Sequence, residues 1–346
     1  MNDTDLMHRV LQLAMLGTGS VAPNPLVGSV ITYQNKIIGE GWHKEYGKAH
    51  AEVNAIASVK EPELLAESTL YVNLEPCSHF GKTPPCANLI VEKKIPRVVI
   101  ANIDSNPLVA GKGIQILQNA GIQVKTGVLE QEARYLNRRF FTFMEKKRPY
   151  IVLKWAETAD GFIARKDFSS KWISNEHSRT LVHKWRSEEQ AILVGTNTAI
   201  YDNPQLNVRH WSGRNPIRIV IDKNLKIPPT HHIFDASQLT ICYNLYKNEN
   251  LPNLYFIRLD KDFFLENLLQ DLFERKIQSV LVEGGTKLLQ SFIDKNLWDE
   301  ARVFVAKQNF GEGILAPQLL QKPISMQDWQ GDKLFFYENH QFFVEK

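Results

Sequence analysis

His50-Ala51-Glu52 and, further along, Glu75-Pro76-Cys77-Ser78-His79-Phe80-Gly81-Lys82-Thr83-Pro84-Pro85-Cys86 form the stretch on which the reading of this chain turns. His50, Cys77 and Cys86 offer one imidazole and two thiolates, a ligand set for Zn²⁺ that leaves a fourth position open for water, as a catalytic site requires. Glu52, two residues past the histidine, is placed to carry protons. Mid-helix, positions i and i+2 point roughly 200° apart, so His50 and Glu52 share one site only where a helix begins. The sequence therefore predicts a helix starting at His50 and running to about Lys60.

Working outward, Ser68–Leu74 reads as a strand delivering Glu75-Pro76-Cys77, and Cys86 opens a helix, Ala87–Lys94, whose N-terminus favours thiolate. Upstream, Asp5 caps a helix over Leu6–Leu16, and Leu26–Thr32 and Lys36–Gly41 form a hairpin across Gln34-Asn35. Asn24, in the stiff Pro23-Asn24-Pro25 turn, reads equally as a turn residue or a ligand contact, and His43 reads as the end of a strand. Downstream come a strand at Arg97–Ala101, a helix at Gly113–Ala120, a strand at Ile122–Gly127 and a helix from Glu130 to Met144. This alternation predicts an α/β fold with a mostly parallel sheet and helices on both faces. The charged run Glu145-Lys146-Lys147-Arg148-Pro149 marks a boundary, giving domains 1–146 and 147–346.

The second half alternates too. Strands are predicted at Tyr150–Trp155, Ala191–Gly195, Ile217–Ile221, Leu239–Tyr243, Asn253–Leu259, Ser279–Glu283 and Ala301–Ala306. Ser174 caps a helix over Asn175–Arg186, another helix covers Gly284–Lys295, and Asp332–Val344 reads as a hairpin. A Gly-x-Gly-x-x-Gly fingerprint is absent. Glu283-Gly284-Gly285-Thr286 closes a strand and opens a helix, which makes either a phosphate cradle or a plain turn.

At 346 residues the chain outgrows a single core, so two domains are expected. With 43% hydrophobic and 23% charged residues it has the balance of a soluble protein. A formal charge of +3 provides no field to draw it to nucleic acid or membrane, so any anion it binds must be held locally. The acidic start Met1-Asn2-Asp3-Thr4-Asp5 lacks the pattern of a secretory signal, and no apolar run approaches the roughly 18 residues of a membrane span. A cytoplasmic protein is expected. Three cysteines fit that: two in the motif and Cys242 in a buried strand, with no disulfide framework.

His-x-Glu followed by Pro-Cys resembles the zinc nucleobase deaminases, in which a non-ligating glutamate shuttles protons to an amino-substituted heterocycle. A structural zinc would need a fourth protein ligand, and His79 is the nearby candidate. The usual deaminase motif sets its cysteines two residues apart, whereas here Ser78 to Pro85 lie between them. That insertion, with Pro23-Asn24-Pro25-Leu26-Val27-Gly28, Gly41-Trp42-His43 and Asp104-Ser105-Asn106-Pro107, resembles the deaminase half of the bifunctional riboflavin-biosynthesis deaminase/reductase family. Lys154-Trp155-Ala156-Glu157-Thr158-Ala159-Asp160-Gly161, Ser170-Lys171-Trp172-Ile173-Ser174 and Val194-Gly195-Thr196-Asn197-Thr198 through Pro204 resemble its reductase half. The resemblance covers nearly the whole chain. It implies a cytidine-deaminase-like α/β/α sandwich followed by a dihydrofolate-reductase-like α/β domain.

The same resemblance implies that Asn24, His43, His79, Lys82, Asp104 and Asn106 surround a pyrimidine and its ribose phosphate. It places NADPH on Ala156, Trp172, Thr198 and Asp202 and along Gly285-Thr286-Lys287-Leu288-Leu289-Gln290-Ser291, and substrate on Ser170, Arg186, Leu206, Arg209 and Glu283. Arg186 and Arg209 suit a phosphate because a guanidinium fork matches its geometry, although an ion pair is the commoner use of an arginine. The resemblance also implies that Lys154 and Glu283 orient the sugar and that Lys154 supplies a proton in the reduction. The chain departs from the family pattern at Thr158, where Ser is usual, and at Gln190, where Asp is usual. The implied reaction is zinc-dependent deamination of a diaminopyrimidinone ribose phosphate, then NADPH reduction of the ribose to ribityl. A homo-oligomer, dimer or tetramer, is expected. Two rivals fit less well: an RNA-base deaminase would carry a basic groove and the shorter cysteine spacing, and a non-enzymatic zinc-stabilised sensor would lack Glu52.

Overall fold

The computed structural model describes residues 1–78, 85–106, 110–170 and 173–339. The chain divides into two compact units, Met1–Lys147 and Arg148–Lys346. Among the described residues no helix is long and apolar enough to cross a membrane.

The first unit runs α1 (Asp3–Met15), β1 (Gly28–Tyr33), β2 (Lys36–Trp42), α2 (Ala51–Ala57), β3 (Thr69–Leu74), α3 (Cys86–Glu92), β4 (Arg97–Asn102), α4 (Lys112–Asn119), β5 (Gln123–Thr126), α5 (Glu130–Leu136) and α6 (Arg138–Lys146). Its sheet has the order β2-β1-β3-β4-β5, with β1 antiparallel to both neighbours and β3, β4 and β5 parallel. Strand residues alternate between two cores. Ile31, Leu70, Val72, Val98 and Ile100 meet Ile56, Ile90 and Leu117 of α2, α3 and α4, while Val30, Tyr71 and Val99 meet Leu6, Val10 and Ala133 of α1 and α5. The period-2 pleat thus builds the three-layer sandwich.

Two local predictions need correction. The first helix starts at Asp3 because Asn2 caps it: Asn2 Oδ1 accepts from Asp5 N–H at 2.8 Å, and Asp5 returns the bond to Asn2 N–H at 3.0 Å. Asp5 is therefore the third helical residue of a capping box. The single helix expected from Glu130 to Met144 is broken at Asn137, whose buried side chain accepts from Leu26 N–H at 2.8 Å and donates to the Leu26 carbonyl at 2.9 Å. Together with Asn73, which donates to the same carbonyl and accepts from Gly28 N–H, it fixes the turn that carries Asn24.

In the second unit the order is β6 (Tyr150–Glu157), β7 (Phe162–Ala164), α7 (Glu176–Glu188), β8 (Ala191–Gly195), α8 (Thr196–Asp202), β9 (Ile217–Ile221), β10 (Thr240–Asn244), β11 (Glu249–Leu251), β12 (Leu254–Arg258), α9 (Phe264–Glu274), β13 (Ser279–Val282), α10 (Thr286–Asp294), β14 (Glu300–Val305), β15 (Ile314–Leu315), β16 (Ser325–Trp329) and β17 (Asp332–Glu338). Ten strands form one sheet in the order β11-β12-β10-β9-β8-β13-β6-β14-β17-β16; the run from β12 to β14 is parallel, and antiparallel partners close both ends. Helices α9 and α10 cover one face through Leu268, Leu272, Leu289 and Phe292, and α7 and α8 cover the other through Val182, Trp185 and Ala199. A small ribbon pairs β15 with β7.

Asn175, one residue past the predicted Ser174, caps α7 by accepting from Ser178 N–H at 2.8 Å. The last hairpin joins β16 to β17, one strand earlier than predicted; Phe342 and Phe343 lie outside the described residues. Replacing Asn137 by Ala orphans the Leu26 N–H, at a cost of about 2 kcal/mol. Asn137→Asp keeps the acceptor and should lose less. Hydrogen exchange of the α5 and α6 amides checks this, with unchanged protection in Asn137→Ala as the contrary result.

Candidate active sites

His50 is the N-cap of α2, with φ −73° and ψ 168°, and Glu52 lies in the helix's first turn. The change of backbone conformation between them lets residues two apart serve one site. Cys77 leaves the end of β3 and Cys86 is the first residue of α3. His50 Nδ1 lies 3.5 Å from Cys77 Sγ and 3.3 Å from Cys86 Sγ, and all three donor atoms fall within 4.8 Å of one another. A tetrahedral zinc with one nitrogen and two sulfur ligands would separate nitrogen from sulfur by about 3.6 Å, so the residues fit the ion. No fourth ligand among the described residues joins the group, and His79 lies outside them.

Charge makes the same point. Metal-free, Cys77 is drawn down to about 4 by hydrogen bonds from Cys86 and His50, against opposing burial. The neighbouring Cys86 is pushed up by that thiolate and by burial. Glu52 is 3% exposed, and burial, with the charge on Cys77, raises its carboxyl to about 7. Three acidic groups and one imidazole converge in a buried space; a divalent cation there compensates the thiolates.

Beside this centre, His43 Nδ1 lies 3.0 Å from the Ala49 carbonyl, which can only accept. That bond fixes the tautomer, so His43 Nε2 accepts from Asn24 Nδ2 at 3.0 Å. The His43 and His50 rings meet edge-on with centroids 5.4 Å apart. Asp104 is 8% exposed and accepts from Asn106 N–H at 2.7 Å; burial, Glu75 and Cys77 raise its carboxyl to about 6 despite that bond. Asn24, His43, Asp104 and Asn106 are thus all described, while His79 and Lys82 lie outside the described residues.

The second unit holds a cavity of about 1290 Å³ lined by Lys154, Ala156, Ser170, Arg186, Thr198, Asp202, Arg209, Glu283, Gly285, Thr286, Lys287, Leu288 and Ser291 among others. It opens where β8 and β13 end and α8 and α10 begin, the place where open parallel sheets bind ligands. Thr198 Oγ1 accepts from Gly285 N–H at 2.9 Å, joining the two helix starts, and Ser170 Oγ donates to Asp202 Oδ1 at 3.0 Å. At Gly284 a Cβ would come within 2.7 Å of Leu288 Cδ2 and 3.1 Å of Gly195 N, so a side chain there would need the Leu288 tip to move and the Gly195 backbone to give.

Arg186 Nε and Nη2 each donate to Glu283 at 2.8 Å, and Nη1 donates to the Asn207 carbonyl at 3.2 Å. Burial would push Glu283 up, yet Arg186 and Lys154 hold it at about 2. Lys154 is lowered by burial and by Arg186, with Glu283 opposing. The Arg186 fork is therefore engaged by Glu283, and the expectation that it grips a phosphate gives way to an ion pair. Leu206, Leu289 and Gln290 do not line the cavity: the first two are core residues, and Gln290 donates to Asp294 and accepts from Gln318 N–H. Trp172 lies outside the described residues.

Sequence reasoning missed Glu75, buried beside the motif, and the cavity-lining Lys223, Lys261, Lys295 and His183. A glutamate directly before Pro-Cys was a usable signal for the first. The scattered basic residues gave none. His183 Nδ1 accepts from Arg209 N–H at 3.2 Å, and burial with Arg186 and Arg209 lowers the ring to about 4.

Residues 1–102 match the cytidine and deoxycytidylate deaminase zinc-binding region, and residues 149–330 match the RibD C-terminal domain. The riboflavin biosynthesis protein RibD of Aquifex aeolicus is 43% identical over 318 residues, covering 90% of this chain and 89% of its own. Among solved structures, a diaminohydroxyphosphoribosylaminopyrimidine deaminase/5-amino-6-(5-phosphoribosylamino)uracil reductase from Thermotoga maritima superimposes with a TM-score of 0.89 at 37% identity, covering 97% of this chain and 98% of that one. RibD of Acinetobacter baumannii gives 0.89 at 34% identity, with 96% and 98% covered. The zinc-ligand geometry of the first unit, the sheet-end cavity of the second and these likenesses agree, and the chain belongs to the RibD family of riboflavin biosynthesis proteins.

Proposed function

We propose that the first unit deaminates 2,5-diamino-6-(5-phosphoribosylamino)pyrimidin-4(3H)-one to 5-amino-6-(5-phosphoribosylamino)uracil, and that the second reduces the ribose of that product to ribityl with NADPH. The buried, non-ligating Glu52 beside His50, Cys77 and Cys86 carries the reading. Zinc held by these three residues supplies Lewis-acid activation of water. Glu52 would take one proton from the water and pass it to a ring nitrogen, then take the proton of the newly added hydroxyl as the carbonyl forms and hand it to the amine, which leaves as ammonia with cleavage of the C–N bond. With its carboxyl raised by burial toward neutrality, Glu52 is suited to both directions of transfer. Asn24, held by His43, and Asp104 with Asn106 orient the pyrimidine and ribose, and His79 and Lys82 are proposed for the phosphate.

In the second unit NADPH supplies hydride to C1 of the ribose. Lys154 protonates the ring oxygen as the C1–O bond breaks, so that the sugar opens to the ribityl chain. Glu283, positioned by Arg186, orients the sugar hydroxyls together with Ser170, and Arg209 takes the phosphate. The cofactor lies along Ala156, Thr198, Asp202 and the Gly285–Ser291 turn, with Trp172 proposed from the family pattern; Leu289 and Gln290 act through the helix backbone, as Leu206 does for substrate. Lys223 and Lys261 line the cavity near Phe263 and Phe264, and this basic end favours a 2′-phosphorylated cofactor over NADH. The exposed edge strand β16, flanked by half-exposed Ile324 and carrying Met326, supports a homo-oligomer. The near-neutral charge and the absence of a spanning helix among the described residues support a cytoplasmic protein working on small molecules.

Glu52→Gln is expected to retain one zinc per chain and to lose at least about 10²-fold in ammonia release. Zinc analysis and an ammonia assay on the same sample check this, and an active variant would overturn the role. Replacing Lys223 and Lys261 together by Ala should cut the NADPH-over-NADH preference in kcat/KM by about tenfold, roughly one charge-assisted hydrogen bond. An unchanged preference places the 2′-phosphate elsewhere.

A further inference from the structure

Glu75 has no role in the deamination described above, yet it is among the most heavily bonded side chains of the first unit. It sits between the end of β3 and Pro76-Cys77, 4% exposed, and its own N–H donates to the Asn102 carbonyl at the end of β4. Its carboxylate accepts four backbone N–H groups. Oε2 takes those of Asp104 (3.2 Å) and Gly111 (2.9 Å), and Oε1 takes those of Gly113 (2.8 Å) and Ile114 (3.2 Å).

Each pair has a distinct consequence. The bonds at Oε2 pin the two ends of the segment that begins at Asp104 and includes Asn106. Those at Oε1 satisfy the first turn of α4, whose own N-cap, Gly111, has no side chain to offer and adopts φ 76°. Glu75 thus caps α4 from a different strand. The contact is close: a Cβ on Gly113 would come within 2.0 Å of the Pro76 carbonyl, one residue from the zinc ligand Cys77. One carboxylate therefore holds the Asp104–Asn106 segment and the Cys77 ligand in a single frame.

We infer that Glu75 is a positioning residue that sets the Asp104–Asn106 segment over the metal centre and so governs substrate affinity in the deamination step. It acts through backbone, touching neither zinc nor substrate. The inference rests on the deaminase reading of the first unit. In Glu75→Gln one oxygen still accepts two N–H groups, but the amide NH₂ faces the other two, so one pair is lost. The segment or the cap is released while the chain leading to Cys77 keeps its strand pairing.

The test is full-length, zinc-loaded protein assayed for ammonia release, with NADPH oxidation on the deaminated substrate as an internal control in the second unit. Glu75→Gln should raise KM for deamination about tenfold or more, a lower bound that corresponds to roughly one hydrogen bond to a charged acceptor. Zinc content, saturating kcat to within a few-fold, and the reductase rate should be kept. Exchange of the Gly111, Gly113 and Ile114 amides should quicken at least tenfold in the variant, independently of activity. A kcat that falls in step with zinc content while KM stays put would mean a purely structural role and overturn the inference. Unchanged KM and unchanged amide protection would overturn it as well. Wild-type protein that releases no ammonia would sink the deaminase reading and this inference together, whereas an unaffected variant beside an active wild type sinks the inference alone.

Discussion

Two thiols, an imidazole and a buried carboxyl converge in the first unit, and a cation held among them would balance the charge of the thiolates. The ligands come from places where the backbone supplies compensating polarity: His50 at the N-cap of α2 and Cys86 at the first position of α3. Cys86 N–H donates to Cys77 Sγ at 3.2 Å, so the helix start stabilises the second thiolate as well as presenting the first. Glu52 is kept out of the ligand set by the helix turn that separates it from His50. Burial then gives it the pKa that a proton carrier near neutrality needs.

The second unit, whose sheet has a different strand order, answers a different electrostatic problem. Its cavity also lies at the carboxyl ends of parallel strands, where α8 and α10 begin. Glu283 is buried there as an anion because Arg186 grips it with two nitrogens, a geometry in which loss of either partner would strand the other. With that pair neutralised, the remaining basic groups of the lining, Lys154, Arg179, Arg209, Lys223, Lys261, Lys287 and Lys295, outnumber its remaining carboxyl, Asp202. A sugar phosphate and a dinucleotide are both anionic, and the surplus suits them.

What the sequence disclosed follows from how local the responsible physics is. His50-Ala51-Glu52 could be placed at a helix start because the i, i+2 geometry allows nothing else, and Cys86 followed from the same reasoning. Most strands of both sheets were legible from runs of Val, Ile and Leu, whereas the edge strands β11 and β16, short or largely polar, were not. Asn137 was not, because it breaks a helix by bonding a backbone 111 residues away, and no local pattern encodes such a partner. Glu75 could be noticed from its place before Pro-Cys, but its partners could not be read locally, because its four donors lie 29 to 39 residues downstream. Arg186 lines the cavity and is engaged by Glu283, and a sequence shows that a guanidinium is present and not which of two anions, a ligand phosphate or Glu283, it meets. Asn2 and Asn175 displaced Asp5 and Ser174 as caps within one helical turn, a distinction that rests on which side chain reaches the free N–H groups.

The central claim is that one chain carries two consecutive reactions on one phosphorylated substrate. The most direct test follows ammonia release and NADPH absorbance together, under anaerobic conditions, with zinc-loaded protein and the diaminopyrimidinone ribose phosphate. One ammonia released and one NADPH consumed per substrate, with ammonia leading, is the predicted result. NADPH consumption without ammonia, or neither signal from zinc-loaded protein, would contradict it.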